Sequence, residues 1–180
     1  MTVSSKGAKS APLLSASGKA VALRLPELRA PFGATSWDDP EAVRRNLDLT
    51  DLPDSVLDWF QKLDEWVIGY VTKNSARIFK NAKSEAEIRH MYTSLIKPGK
   101  NDFPPTLRAK VNLSGPGAIR VWEKSAGELQ RRRMPEEWRN ALLEGVGVLN
   151  TLWFQAKSFG LVFTLTDAVV QEVAESECPF

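Results

Sequence analysis

One cysteine, Cys178, and one histidine, His90, are the whole supply of two reactive side-chain types in 180 residues. A lone thiol excludes an internal disulfide and most thiolate metal sites. A lone imidazole leaves little room for nucleophilic catalysis: a Ser-His-acid triad would have to use His90, on the surface of a predicted helix, and Ser10, Ser15 and Ser17 lie far from it in sequence. No GxGxxG or GxxxxGK[ST] segment occurs, so no nucleotide-phosphate cradle is expected. No run reaches the roughly 18 apolar residues of a membrane-spanning helix. The longest uncharged stretch of this kind, GVGVLNTLWFQA, is bounded by Glu144 and Lys157. The sequence thus predicts no enzyme, no cofactor, no metal and no membrane partner.

What is present points to one domain with tails. A chain of 180 residues, 43% hydrophobic, can bury one sizeable core. Its 24 basic and 22 acidic residues nearly cancel, but they are segregated along the chain. Residues 1–30 carry Lys6, Lys9, Lys19, Arg24 and Arg29 against Glu27. Between Asp38 and Glu65 nine acids face three bases, and between Lys73 and Lys110 nine bases face three acids. The acids of 38–65 match no calcium or magnesium loop, and most read as the solvated face and first turn of a helix. The last ten residues hold Glu172, Glu175 and Glu177 and no base. A basic middle with an acidic end suggests a polyanionic partner and a tail able to imitate it.

Residues 1–18 read as a disordered basic arm, with an organellar transit peptide as the other reading; no signal-peptide core is present. Residues 19–171 form the domain and 172–180 a short acidic tail. Period-two alternation predicts strands at Ala20–Leu25, Asn46–Thr50, Leu107–Leu113, Ile119–Lys124, Val146–Phe154 and Leu161–Val169. Helices are predicted near 55–79 and 84–95. The first has a core stripe of Val56, Phe60, Leu63, Val67 and Tyr70 with Trp59 and Trp66 beside it, and the second opens on a Ser84–Glu87 capping box. A third, short helix is expected from MPEEW to just before Gly145. Short strands with inserted helices and no strand–helix–strand rhythm predict a mainly β, α+β fold: a small barrel or sandwich carrying a helical insertion.

The stretch FPPTLRAKVNLSGPGAIRVWEK carries the functional signal. Written as a hairpin around Ser114-Gly115-Pro116-Gly117, it puts Leu107, Ala109, Val111, Leu113, Ile119 and Val121 on one side. The other side collects Arg108, Lys110, Arg120, Trp122 and Lys124, with no acid among them, and Lys97-Pro98-Gly99-Lys100 adds a basic loop just before. Single-stranded nucleic acid needs a positive groove for phosphates and aromatic faces for bases, and this row supplies both. The competing reading is the ordinary polar face of a half-exposed hairpin.

At these residues the sequence resembles a family. PFG (31–33), NLDLT (46–50), WFQKLDEWVI (59–68), VTKNSARIF (71–79), the SEAEI helix, SLIKPGK (94–100), FPPTLRAKV (103–111) and TLWFQAKSFGLVF (151–163) resemble the replicative single-stranded DNA-binding proteins of phage T-seven type. The nearer likeness is to their relatives in nucleocytoplasmic large DNA viruses, and it spans roughly residues 20–170. The resemblance implies a five-stranded OB-fold barrel with a helical insertion. It also implies sequence-independent binding of single-stranded DNA in replication, recombination and repair. An acidic tail ending in an aromatic residue, here Glu172, Glu175, Glu177 and Phe180, would compete for the groove and engage a polymerase, helicase or primase. A homodimer is a further expected partner. The site of DNA replication, a viral factory or host nucleus, is the expected location.

Other aromatic and basic residues divide by position. Trp153 and Phe154 are adjacent on a strand, so one faces the core; Trp153 is assigned to the groove and Lys157, in the following turn, to phosphate. Trp59 and Trp66 read as core. Arg131-Arg132-Arg133 is either a solvated loop or a phosphate clamp. Two further function classes remain beside DNA binding: an RNA-binding or nucleoprotein OB module, and a structural domain that docks an acidic protein.

Overall fold

Alternating burial along the strands, as over Thr106–Asn112 where Leu107, Ala109 and Val111 are buried and their neighbours are not, is what makes these segments pair: one face of each must leave water. A computed structural model describes residues 2–3, 9–36, 39, 41–125, 127–135 and 137–171. The chain runs β1 (Thr2–Val3), β2 (Lys9–Pro12), β3 (Val21–Ala30), β4 (Ala34–Thr35) and β5 (Arg44–Leu49), then helices α1 (Asp54–Lys73), α2 (Ser75–Phe79) and α3 (Glu85–Met91). It continues through β6 (Tyr92–Thr93), β7 (Ile96–Lys97), β8 (Thr106–Asn112), β9 (Arg120–Ser125), β10 (Glu128–Arg131), β11 (Ala141–Phe154) and β12 (Phe159–Gln171).

The fold is mostly β with a few helices, as the sequence suggests, but its sheet is larger than a five-stranded barrel. Among the described residues twelve strands join one sheet, with the path β1-β2-β11-β12-β8-β5-β4 and the others attached to it. The long strands β3, β11, β12, β8 and β5 are neighbours in that order. From β5 back to β3 the pairing among the described residues is one isolated bridge, Arg29 to Thr50. The reason is the short marginal strands: their segments are too brief to show alternation in the sequence, yet they satisfy backbone groups at the sheet's edges. Two of them, β1 and β2, lie in the segment read as a disordered arm. Lys9–Pro12 pairs with Thr151–Phe154, and Lys9 also donates to the Ile78 carbonyl at 3.3 Å.

Two further expectations are corrected. The segment 106–125 is not a hairpin. β8 and β9 both lie parallel to β12, and from Lys110 to Arg120 the chain spends ten residues to advance three positions along it, from Thr164 to Asp167. They are two pieces of one interrupted strand, with the Ser-Gly-Pro-Gly segment looped out and its neck closed by Ile119 N–H to the Asn112 carbonyl at 2.9 Å. The alternation is right, since Leu107, Ala109, Val111, Ile119 and Val121 are all buried; only the partner differs. The helix expected from MPEEW is also absent among the described residues, because Ala141–Leu143 pair instead with Leu28–Ala30 of β3 and Trp138 turns into the core.

The helices behave largely as read. α1 begins at Asp54 behind Pro53, and α3 has the full capping box: Ser84 N–H donates to Glu87 at 2.8 Å and Ser84 Oγ accepts from Glu87 N–H at 3.3 Å. The core stripe of α1 is rotated toward Phe60, Val67, Ile68 and Val71. Trp66 and Tyr70 therefore lie on the outside, 56% and 43% exposed and stacked on each other at 5.7 Å; Trp59 is exposed as well. α3 ends at Met91, four residues early, because Tyr92 and Thr93 pair with Phe159 and Gly160 of β12.

Inside, the sheet closes on Phe163, whose ring meets Phe60 of α1 edge to face at 6.1 Å. Gly147 on β11 sits under that ring, and a Cβ there would fall on the Phe163 ring carbons. Gly147→Ala is therefore expected to cost about 1 to 3 kcal/mol of stability through overpacking. Adding Phe163→Leu should recover part of that loss relative to the sum of the single changes; additive urea midpoints would show that the two positions do not share space.

Candidate nucleic-acid interface

A groove of about 470 Å3 opens on the outer face of the sheet, lined among others by Arg44, Asn46, Arg108, Lys110 and Trp153. Each outward residue follows from strand parity. On β5, Leu47 and Leu49 go inward, which sends Asn46 and Asp48 out; on β8, Leu107, Ala109 and Val111 go inward, which sends Arg108 and Lys110 out. Cross-strand register then places Asn46 opposite Lys110 and Asp48 opposite Arg108. Trp153 reaches the same groove because β11 carries an extra residue between Leu149 and Thr151. That bulge switches the parity, so Leu149 is buried and Trp153 still points outward, with Phe154 in the core. The ring lies over Gly160, where a Cβ would stand 3.1 Å from the indole.

The cation row is not free of carboxylates. None comes from its own strands, but neighbouring strands supply three, and that pairing is invisible along a single segment. Asp48, its side chain 17% exposed, accepts from Arg108 Nε and Nη2 at 2.9 and 3.0 Å and from Lys97 Nζ at 3.4 Å. Asp167 takes Arg120 at 2.6 Å and the Trp122 indole N–H at 3.1 Å, and Glu144 takes Lys124 at 2.6 Å. Burial alone would raise the Asp167 carboxyl, but hydrogen bonds from Arg120, Trp122 and Thr166 together outweigh it and hold it low.

Charge in the groove is nonetheless unbalanced. Arg44, Arg108 and Lys110 line the groove, and the carboxylate nearest them, Asp48, pairs with Arg108 and Lys97. Lys110 donates to Asn46 Oδ1 at 2.6 Å, not to an acid. Its ammonium is held below its usual range, first by burial and then by repulsion from Arg44 and Arg108. Such a site favours an anion, which would relieve the repulsion. The groove's far wall is set by Asp64, whose carboxylate accepts from Tyr92 at 2.6 Å and from Ser94 at 2.6 Å. Burial raises the Asp64 carboxyl despite those bonds, and burial with the Asp64 contact pushes the Tyr92 hydroxyl well above its usual range.

The predicted site residues thus separate into groups. Arg108, Lys110 and Trp153 come together, with Lys97 tied in through Asp48. Arg120, Trp122 and Lys124 lie further along β12, where Val169 pairs with Trp122 while Gly160 pairs with Trp153. Nine residues of strand, about 30 Å, separate those pairing points. Trp122 is less available than a stacking platform should be: Arg131, opposite it on β10, holds its guanidinium 5.4 Å from the ring centroid. Lys100 and Lys157 are exposed on loops flanking the sheet. Glu172, Glu175, Glu177 and Phe180 lie outside the described residues. Arg44, Asn46 and Asp48 were missed by sequence reading; the alternation of RNLDL places Asn46 and Asp48 on one face with Arg44, but it does not tell which strand lies next to it. Among the described residues no group of three or more His, Cys, Asp or Glu side chains gathers as a metal site would require.

The architecture has known counterparts. No family model matches the chain, and no curated protein matches it by sequence. Its architecture, mostly β with a few helices, is consistent with an OB-like fold and is shared by solved structures. It is similar to gp2.5, a single-stranded DNA-binding protein encoded by bacteriophage T7, with TM-score 0.58 and 13% identity over 88% of this chain and 90% of that one. It is also similar to the single-stranded DNA-binding protein from bacteriophage Enc34, with TM-score 0.50 and 16% identity over 93% and 90%. The Enc34 protein in complex with single-stranded DNA aligns at TM-score 0.50 and 15% identity over 93% of each chain. At such identities the likeness establishes the fold.

The two charges that meet in the groove should respond oppositely to removal. Because the folded-state pKa of Lys110 is lowered, its protonated form costs stability, and that cost fades as pH rises through the folded value toward the unfolded one. Lys110→Met should leave the urea midpoint at neutral pH unchanged or higher. Asp48→Asn strips a carboxylate from Arg108 and Lys97 and should lower stability by about 1 to 3 kcal/mol.

Proposed function

We propose that this chain binds single-stranded DNA without sequence preference and acts in DNA replication, recombination and repair. The observation that carries the reading is the groove itself: Arg44, Arg108 and Lys110 line it together, with the Trp153 ring on the adjoining wall. Phosphates neutralise the excess charge, and a base stacks on the indole; neither interaction reads a sequence. The fold shared with gp2.5 and with the Enc34 protein, one structure of which holds single-stranded DNA, supports the same reading.

In this reading Arg44, Arg108 and Lys110 contact the backbone directly and Lys97 holds Asp48 in place. Lys100, Lys157, Arg120 and Lys124 extend the positive field along the strand's path. Trp122 is assigned to shaping the lower part of that path, through Asp167 and Arg131. The acidic segment from Glu172 to Phe180 is assigned to replication partners and to competition for the groove, and a second copy of the chain to self-association. The affinity with nucleocytoplasmic large DNA viruses, and a location at their replication sites, rest on the sequence resemblance.

Titration with oligothymidine, read by quenching of the chain's tryptophan fluorescence, tests the function. Binding should weaken with salt along a log-log line whose slope is about 0.7 per phosphate neutralised, and Lys110→Met should make that slope shallower. Trp153→Ala should cost roughly 1 to 3 kcal/mol of binding. Absence of binding at moderate salt would leave the structural, protein-docking role; equal or tighter binding of the matching RNA would move the assignment to an RNA-binding module.

A further inference from the structure

Phe103 is 72% exposed, more than the other large apolar side chains of the described surface. A single exposed ring is ordinary by itself. The backbone that carries this one is not. The loop between β7 and β8 is wound on itself: Phe103 N–H donates to the Lys100 carbonyl at 3.1 Å, and Asn101 takes a left-handed φ of 54°. Gly99 is pressed so closely against the Phe103 carbonyl and Pro104 that a Cβ at 99 would overlap them. Pro104 and Pro105 then fix φ for the two residues that lead into β8. The ring is held out in water by a braced segment, so presenting it to a ligand costs little further ordering.

The position of this loop gives the ring its use. Lys97 pairs with Thr106 across the base of the loop, and its Nζ reaches the same Asp48 that grips Arg108. Five residues separate Phe103 from Arg108, so their Cα atoms lie within about 18 Å. Lys100 is exposed inside the loop, and Asp102 is the one acid beside them.

We propose that Phe103 is a second stacking platform for a base of single-stranded nucleic acid, set at the β7–β8 end of the groove with Lys100 beside it for phosphate. The inference rests on the single-stranded DNA reading above. By register Gly160, opposite Trp153, and Thr106, at the base of this loop, lie toward the same end of the sheet, so a strand stacked on Trp153 crosses β8 at Lys110 and Arg108 and arrives at this ring. Aromatic faces on two sides of the cations fix a strand's path while remaining indifferent to its sequence.

The test uses the full chain and oligothymidines of two lengths, about 4 and about 16 nucleotides, the limits of a single OB-type site. Phe103→Ala should weaken binding of the longer strand roughly 5- to 150-fold, the effect of one lost base stack, while the melting temperature stays at the wild-type value. The shorter strand, filled by the Trp153 groove alone, should bind as to wild type. Phe103→Trp should retain affinity, and Phe103→Leu should behave like the alanine variant. Unchanged binding of the longer strand by Phe103→Ala overturns the proposal. So does wild-type affinity in Phe103→Leu, which would mean apolar contact instead of stacking, or an equal loss for both lengths, which would mean one platform shared with Trp153. Failure of the wild-type chain to bind either strand is a separate result and strikes the functional reading itself.

Discussion

The structure turns on the second edge of β12. One edge is taken by β11 along its whole length, antiparallel, as a long hairpin. The other is shared in succession by β6, β8 and β9, all parallel to it. Parallel pairing cannot be made by a tight turn, so the chain must travel a long way before it returns to lie beside β12. The chain from β9 through β10 and the long β11 is that travel. The groove is built around this edge: β8 brings Arg108 and Lys110, β5 beside it brings Arg44 and Asn46, β6 and the segment after it bring Thr93 and Ser94, and β11 carries Trp153 across from the other edge.

Much of this was legible in the sequence, and the limits have a physical cause. Strand identity and inward faces follow from alternation, a local property, so Leu107, Ala109, Val111, Ile119 and Val121 are correctly placed in the core. Pairing partners are non-local. The same alternation fits a hairpin and an interrupted strand equally well, because the turn-forming residues at 114–117 serve either. The carboxylates of the groove were hidden for the same reason, since Asp48 is sixty residues from Arg108. Trp153 could be assigned despite Leu149 because a bulge reconciles them, a feature with no signature in the side chains. The helix expected at 134–144 illustrates the opposite failure: local start signals were present, and pairing with β3 overrode them.

Electrostatics and stability pull against each other in the groove. A fold optimised for stability alone would neutralise Lys110 or pair it with an acid; here it leans on the amide of Asn46 instead, with two arginines nearby. A full complement of acids would quench the groove's positive field, and none would leave the strands repelling one another. Asp48 is the compromise: one carboxylate, shared between two cations, that orders Arg108 without cancelling the excess.

The interrupted strand has a consequence for how this architecture can change. Because Ile119 binds back to Asn112, the two ends of the excursion are already joined at the sheet, and a Cβ at Gly115, at φ 81°, would meet nothing within 4 Å. Chain length there is decoupled from the register of β8 and β9 on β12. Added residues at the tip would lengthen a surface loop whose closure entropy grows only slowly with size. The excursion is thus a port in the scaffold: a place where lineages can graft new segments, or where a reporter can be spliced in, without moving a residue of the groove.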